Sequence, residues 1–206
     1  MVTIIDNFFD PWELKLVTEE LKKLPFYSAS DHPGMRDGSY IAKNTSYPGL
    51  RTHALIKAHP LLNHFIIRQI ERSNIPHAIG SWNLMQFGHL KTEKDNLVFQ
   101  TKKDDHSAGA PSTGDFIHKD ASDWAYILYL SETNLESGTK LYPNLNTKKG
   151  ESIPNPNDME EDAFIKFKQN RIVILDASIP HMAWGSYGKD LSDGRLSIVG
   201  FARYME

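Results

Sequence analysis

Residues 170–185 read NRIVILDASIPHMAWG: an apolar run, a polar turn, and a histidine opening a second apolar run. The run at 171–176 is short and β-branched, and Gln169-Asn170 precede it as turn residues, so it reads as a strand. Working outward, runs of the same texture occur at 81–87, 97–102, 115–118, 124–131, 139–142, 163–168 and 195–204. Turn residues such as Ser137-Gly138 and Asp193-Gly194 separate them. Polar segments 101–114 and 144–162 read as long surface loops, the second carrying Pro154 and Pro156.

The first third has a different period. Asp10 is a helix N-cap, Pro11 fits the first helical position, and Glu13 stands three residues after the cap. Leu14, Val17, Leu21 and Leu24 then form one apolar stripe that Pro25 ends. A second helix is expected from about Pro60 to Glu71, with Leu62, Phe65, Ile66 and Ile70 on one face. Residues 28–50 read as loop. Helices first and many short strands afterwards predict a mainly β fold with flanking helices, a β-sandwich or jelly roll buttressed from the N-terminal side. A single domain is expected over 1–206, with 1–79 as helical support and loops and 80–206 as the jelly-roll core.

Composition narrows the chemistry. The 206 residues include 23 Lys+Arg and 26 Asp+Glu, a net charge of −3, so no basic footprint for nucleic acid is present. There are nine histidines and no cysteine, which excludes disulfides, thiolate metal sites and a cysteine nucleophile. A metal would have to be held by His, Asp or Glu. No signal peptide and no run of about 18 apolar residues is evident, so a soluble, cytoplasmic protein is expected, with no membrane partner.

His118-Lys119-Asp120 closes the short strand at 115–118, and residues i and i+2 of an extended segment point to one side. Composition alone supplies about one His-x-Asp pair by chance, so the remaining partners carry the weight. His181 lies 63 residues on. Five strand-plus-turn steps of a jelly roll, at about 8–12 residues each, take up roughly 40–60, and the loop 144–162 absorbs the rest. Two histidines and one carboxylate form a facial triad suited to Fe(II), leaving coordination positions open. A chelating dicarboxylate needs a cation for its far end, and Arg195 with Ser197, two residues along a strand, supplies one. Arg203 has the same face parity.

On "FIHKDAS", "WAYILYLSE…ESGTKLYP", "NRIVILDASIPHMAWG" and "GRLSIVGFARY", the chain resembles the Fe(II)/2-oxoglutarate-dependent oxygenases, most closely the prolyl-4-hydroxylase-like branch. The resemblance covers roughly residues 1–24 and 80–206; none is found over 28–79. It implies a double-stranded β-helix and the cofactors Fe(II), 2-oxoglutarate and dioxygen. It implies His118, Asp120 and His181 as metal ligands, and Arg195 and Ser197, joined by Tyr129, at the cosubstrate's distal carboxylate. The implied activity is a dioxygenase that hydroxylates a C–H bond of a peptide or small molecule, releasing succinate and CO2. By the same resemblance, the carboxylate ligand Asp120 favours hydroxylation or another oxidation over halogenation. The gap from His181 to Arg195 exceeds the family's usual spacing, which implies an extended hairpin through 184–194.

Other readings attach to the remaining residues. Trp82, Trp124 and Trp184 are expected to pack rather than stack on substrate, and Asn83 and Gln86 could reach the cosubstrate from a neighbouring strand. A non-catalytic cupin-like binding module and a zinc hydrolase are the rival functions, and both leave Tyr129, Arg195 and Ser197 without a joint role.

Overall fold

The computed structural model describes residues 2–27, 50–52, 55–72, 90–101, 117–120, 122–146, 148, 152–153, 161–185, 187–188 and 193–204. The expected strand at 81–87, with Trp82, Asn83 and Gln86, lies outside them, as do most of the segments 28–50 and 101–114.

The described chain is mainly β. Eleven strands form two antiparallel sheets: β1 (Val2–Ile5), β2 (Leu50–Arg51), β3 (Leu90–Thr101), β4 (Ile117–His118), β5 (Trp124–Tyr129), β6 (Asn134–Leu141), β7 (Ser152–Ile153), β8 (Ala163–Phe167), β9 (Arg171–Asp176), β10 (His181–Trp184) and β11 (Arg195–Tyr204). The six-stranded sheet runs β1-β9-β5-β11-β3-β2 and the five-stranded sheet β7-β4-β10-β6-β8. From β3 to β6, and again from β8 to β11, successive strands alternate between the sheets. Three helices, α1 (Pro11–Lys22), α2 (Leu55–Ala58) and α3 (Pro60–Arg72), complete the described elements. None is long and apolar enough to cross a membrane.

The strands of the larger sheet divide their side chains by parity. Trp124, Tyr126, Leu128, Ile172, Ile174, Leu196 and Ile198 form one core with Val17 and Leu21 of α1 and Leu62, Ile66 and Ile70 of α3. The alternate residues Ala125, Ile127, Tyr129, Val173 and Leu175 form a second core with Leu141, Ile165 and Phe167 of the smaller sheet. Burial on both faces explains why β5 reads WAYILY, with no polar alternation. The expected N-cap is present: Asp10 is extended, and its N–H donates to the Glu13 carboxylate at 2.9 Å. The other Glu13 oxygen accepts from Gln69 of α3, so a buried carboxylate joins the two helices.

Four expectations need correction. Ser137-Gly138 is no turn between strands; it lies inside β6, at a register irregularity between Asn134 and Gly138. Glycine serves there because the β8 backbone passes so close that a Cβ would overlap the Ile165 carbonyl. The segment 144–162 is not all loop, since β7 pairs with β4. The strand expected at 97–102 begins at Leu90, through Lys91, Thr92, Glu93, Lys94 and Asp95, because β11 pairs with it from Arg195↔Thr101 to Tyr204↔Leu90. The strand expected over 124–131 ends at Tyr129.

Candidate functional site

His118 and His181 are direct cross-strand partners in β4 and β10. The separation of 63 residues therefore closes to neighbouring positions on one face, with ring centroids 4.6 Å apart. Asp120 follows β4, and its N–H donates to the Ala177 carbonyl at 3.1 Å, while the Ala177 N–H donates to the Asp123 carbonyl at 3.0 Å. These bonds tie the turn carrying Asp120 to the turn that leads into His181. Asp120 Oδ2 lies 3.3 Å from His181 Nε2, and Oδ1 lies 3.6 Å from His118 Nε2. One ligand atom from each residue falls within 4.8 Å of the others, a set that could hold a metal ion.

The donors suit such an ion. His181 Nδ1 lies 2.8 Å from the Ile179 carbonyl, which can only accept, so Nδ1 carries a proton and Nε2 is the ring nitrogen turned to Asp120 and placed to act as a metal ligand. Burial by itself would raise the Asp120 carboxyl, but the His181 hydrogen bond and the two imidazoles outweigh it, holding Asp120 below its ordinary value. Burial opposes charge on His181, and the Asp120 contact overcomes that and raises it. The side chains of His181 and Asp120 are 6% and 14% exposed and that of His118 is 39% exposed, so solvent reaches the cluster from the His118 side.

Arg195, Ser197 and Tyr129 gather on the inner face of the larger sheet. Ser197 is directly opposite Tyr129, and all three are buried. The Arg195 guanidinium donates from Nη2 to the Gly138 carbonyl at 3.1 Å, with its Cζ 5.4 Å from the Phe167 ring centroid. Tyr129 stacks on Phe167 at 4.3 Å, and its hydroxyl bonds Thr139 Oγ1 at 2.7 Å. Burial raises the Tyr129 phenol, against the opposing pull of Arg195 and Thr139, so it remains a neutral hydroxyl. Both groups border strand β6. His181 is opposite Leu141 and Ala183 is opposite Thr139, two residues or about 7 Å along.

Thr139, Phe167 and the Gly138 carbonyl escaped the sequence reading. Thr139 stands between Gly138 and Lys140 in β6, and only the packing of the two sheets places it beneath Tyr129. Trp124 is buried in the helix-facing core. Trp184 lies on the outer face of the smaller sheet, with Lys140 Nζ 3.4 Å above its ring. Arg203 belongs to β11, but its side chain is outside the described set.

No protein-family model and no curated protein matches this sequence. Solved structures do match. HygX from Streptomyces hygroscopicus, with nickel, 2-oxoglutarate and hygromycin B bound, has a TM-score of 0.60 at 12% identity, covering 98% of this chain and 82% of that chain. An oxidoreductase of the 2OG-Fe(II) oxygenase family from Burkholderia pseudomallei has a TM-score of 0.54 at 11% identity, covering 98% and 84%. A prolyl hydroxylase from Trichoplax adhaerens, in complex with a hypoxia-inducible factor peptide fragment, has a TM-score of 0.52 at 13% identity, covering 98% and 83%. The chain has the fold of the 2OG-Fe(II) oxygenases, prolyl hydroxylases among them.

Proposed function

We propose that the chain is a 2-oxoglutarate-dependent dioxygenase in which His118, Asp120 and His181 hold Fe(II). Arg195, Ser197 and Tyr129 receive the distal carboxylate of 2-oxoglutarate. The observation that carries this reading is the His118–Asp120–His181 cluster, its ligand atoms within 4.8 Å and the His181 ring oriented by the bond from Nδ1 to Ile179 so that Nε2 faces the cluster. The ligands bound to HygX support the choice of cosubstrate. When bound, Fe(II), 2-oxoglutarate and dioxygen supply oxidising power, with succinate and CO2 as co-products.

The chain's own residues bind and orient. Among the described residues the triad offers three protein donors, and an ion held by them would keep positions for a bidentate cosubstrate and dioxygen. The inner face of β6 runs from Leu141, beside His181, to Thr139, beneath Tyr129, a span suited to a five-carbon diacid. Arg195 then meets the far carboxylate as a charge-assisted fork, and the Phe167 and Tyr129 rings keep water from it. We read the two sheets as a jelly roll, supported by the alternation of successive strands between them, and the chain as one domain with the helices as its outer buttress. Hydroxylation of a peptide or a small molecule is the proposed outcome, since a carboxylate occupies the third ligand position; the fold alone does not select the substrate.

Anaerobic titration of the metal-free protein with Fe(II) and 2-oxoglutarate tests this. A metal-to-ligand charge-transfer band should appear and be lost in Asp120→Ala. A wild type without the band sinks the proposal, and 2-oxoglutarate binding that ignores metal favours a cupin-like binding module.

A further inference from the structure

Strand β5 leaves its partner β11 at the point where Arg195 stands. The register Tyr129↔Ser197 continues to place Ser131 opposite Arg195. The ladder is already incomplete one residue earlier. The Leu130 N–H donates to the Leu196 carbonyl at 3.0 Å, but the Leu130 carbonyl accepts from Gln169 Nε2, also at 3.0 Å. The return bond from Leu196 N–H goes instead to Ser131 Oγ, at 2.5 Å, and the same hydroxyl donates to the Gly194 carbonyl at 2.8 Å. One side chain thus holds the peptide groups on both sides of Arg195. The hydroxyl also meets Tyr187, whose phenol burial pushes up to about 12 and which donates to the Glu132 carbonyl at 2.9 Å.

We infer that Ser131 is a positioning residue for Arg195: its hydroxyl replaces the missing ladder bond and aims the guanidinium at the cosubstrate carboxylate. The inference rests on the reading of Arg195 given above. Arginine is a long lever, and a backbone rotation of roughly 10° moves its end by about 1 Å, beyond the tolerance of a bidentate pair. The guanidinium has a second anchor, the Gly138 carbonyl at 3.1 Å, and the two anchors together leave one direction for the fork. Valine or alanine at 131 would also strand the buried Leu196 N–H.

The test is calorimetric titration of 2-oxoglutarate into the Mn(II)-loaded full chain, for wild type, Ser131→Ala, Ser131→Thr, Arg195→Lys and the double variant Ser131→Ala/Arg195→Lys. Ser131→Ala should weaken 2-oxoglutarate binding about tenfold, with Ser131→Thr restoring most of it and Mn(II) affinity unchanged. In the Arg195→Lys background the same substitution should cost less than about twofold, because the fork it aims is gone. Amide exchange at Leu196 should accelerate in Ser131→Ala. Equal loss in both backgrounds, a parallel fall in Mn(II) affinity, or unchanged exchange at Leu196 overturns the inference. A wild type that binds Mn(II) but no 2-oxoglutarate sinks the functional reading and this inference together. A wild type and a Ser131→Ala that bind 2-oxoglutarate equally sink only this one.

Discussion

Tyr129 is the residue whose surroundings decide most about the candidate cosubstrate end. It is fully buried, stacked on Phe167, and depends on Thr139 for its hydroxyl partner at 2.7 Å. A buried phenol deprived of its partner loses about 1–3 kcal/mol. Thr139→Val keeps the shape and removes the partner, so we expect a lower melting temperature in calorimetry. We also expect several-fold weaker 2-oxoglutarate binding at unchanged metal affinity; binding equal to wild type would show that the phenol needs no orienting. The residue scale is also where the sequence was most readable. The alternation of an extended chain leads one to expect His118 and Asp120 on one side, and Arg195 and Ser197, both within β11, share a face for that reason. Thr139 was not readable, because nothing local distinguishes a threonine beneath a tyrosine from one facing solvent.

At the scale of elements, β1 shows how a short edge strand is kept in place. Its four residues pair with β9, and Asp6 just beyond it bonds Arg171 Nε at 2.6 Å and Lys168 Nζ at 2.8 Å. The Arg171 hydrogen bond, against the cost of burial and with help from Lys168, lowers the Asp6 carboxyl to about 2. A depressed carboxyl stabilises the fold above its unfolded value, near 4, and that contribution fades as pH falls toward about 2. Asp6 is a third exposed, so the contribution is at most about 1 kcal/mol. Asp6→Asn should therefore lower stability in urea melts at pH 7 and converge with wild type near pH 2; a constant gap across that range would assign the effect to something other than charge. Among the elements, α1 was legible because cap, proline and stripe agree. The β3 strand was half missed because its charged residues Lys91, Glu93, Lys94 and Asp95 carry little strand propensity, and pairing with β11 overrides that preference. Ser137-Gly138 looked like a turn for the converse reason: glycine there answers the close β8 backbone, not a change of direction.

The molecule as a whole is layered: helices, the larger sheet, the inter-sheet core with the candidate site, and the smaller sheet. Leu21 is fully buried in the helix-facing layer and shares no core with the inter-sheet residues. Leu21→Ala should cost about 2–5 kcal/mol of stability, measured by denaturant unfolding. Metal affinity of the remaining folded protein should be unchanged, and a matching loss of metal binding would mean that the helical layer shapes the site directly. The sequence by itself determined the mainly β class, the helix at 11–22, and the pairs His118/Asp120 and Arg195/Ser197, since each is a matter of local periodicity. Only the tertiary structure decided that His181 lies opposite His118, that Thr139 reaches Tyr129, and that Ser131 bridges the two sides of Arg195. Strand alternation tells which residues share a face. It does not tell which strand comes alongside, because that choice is made by contacts between residues far apart in the chain.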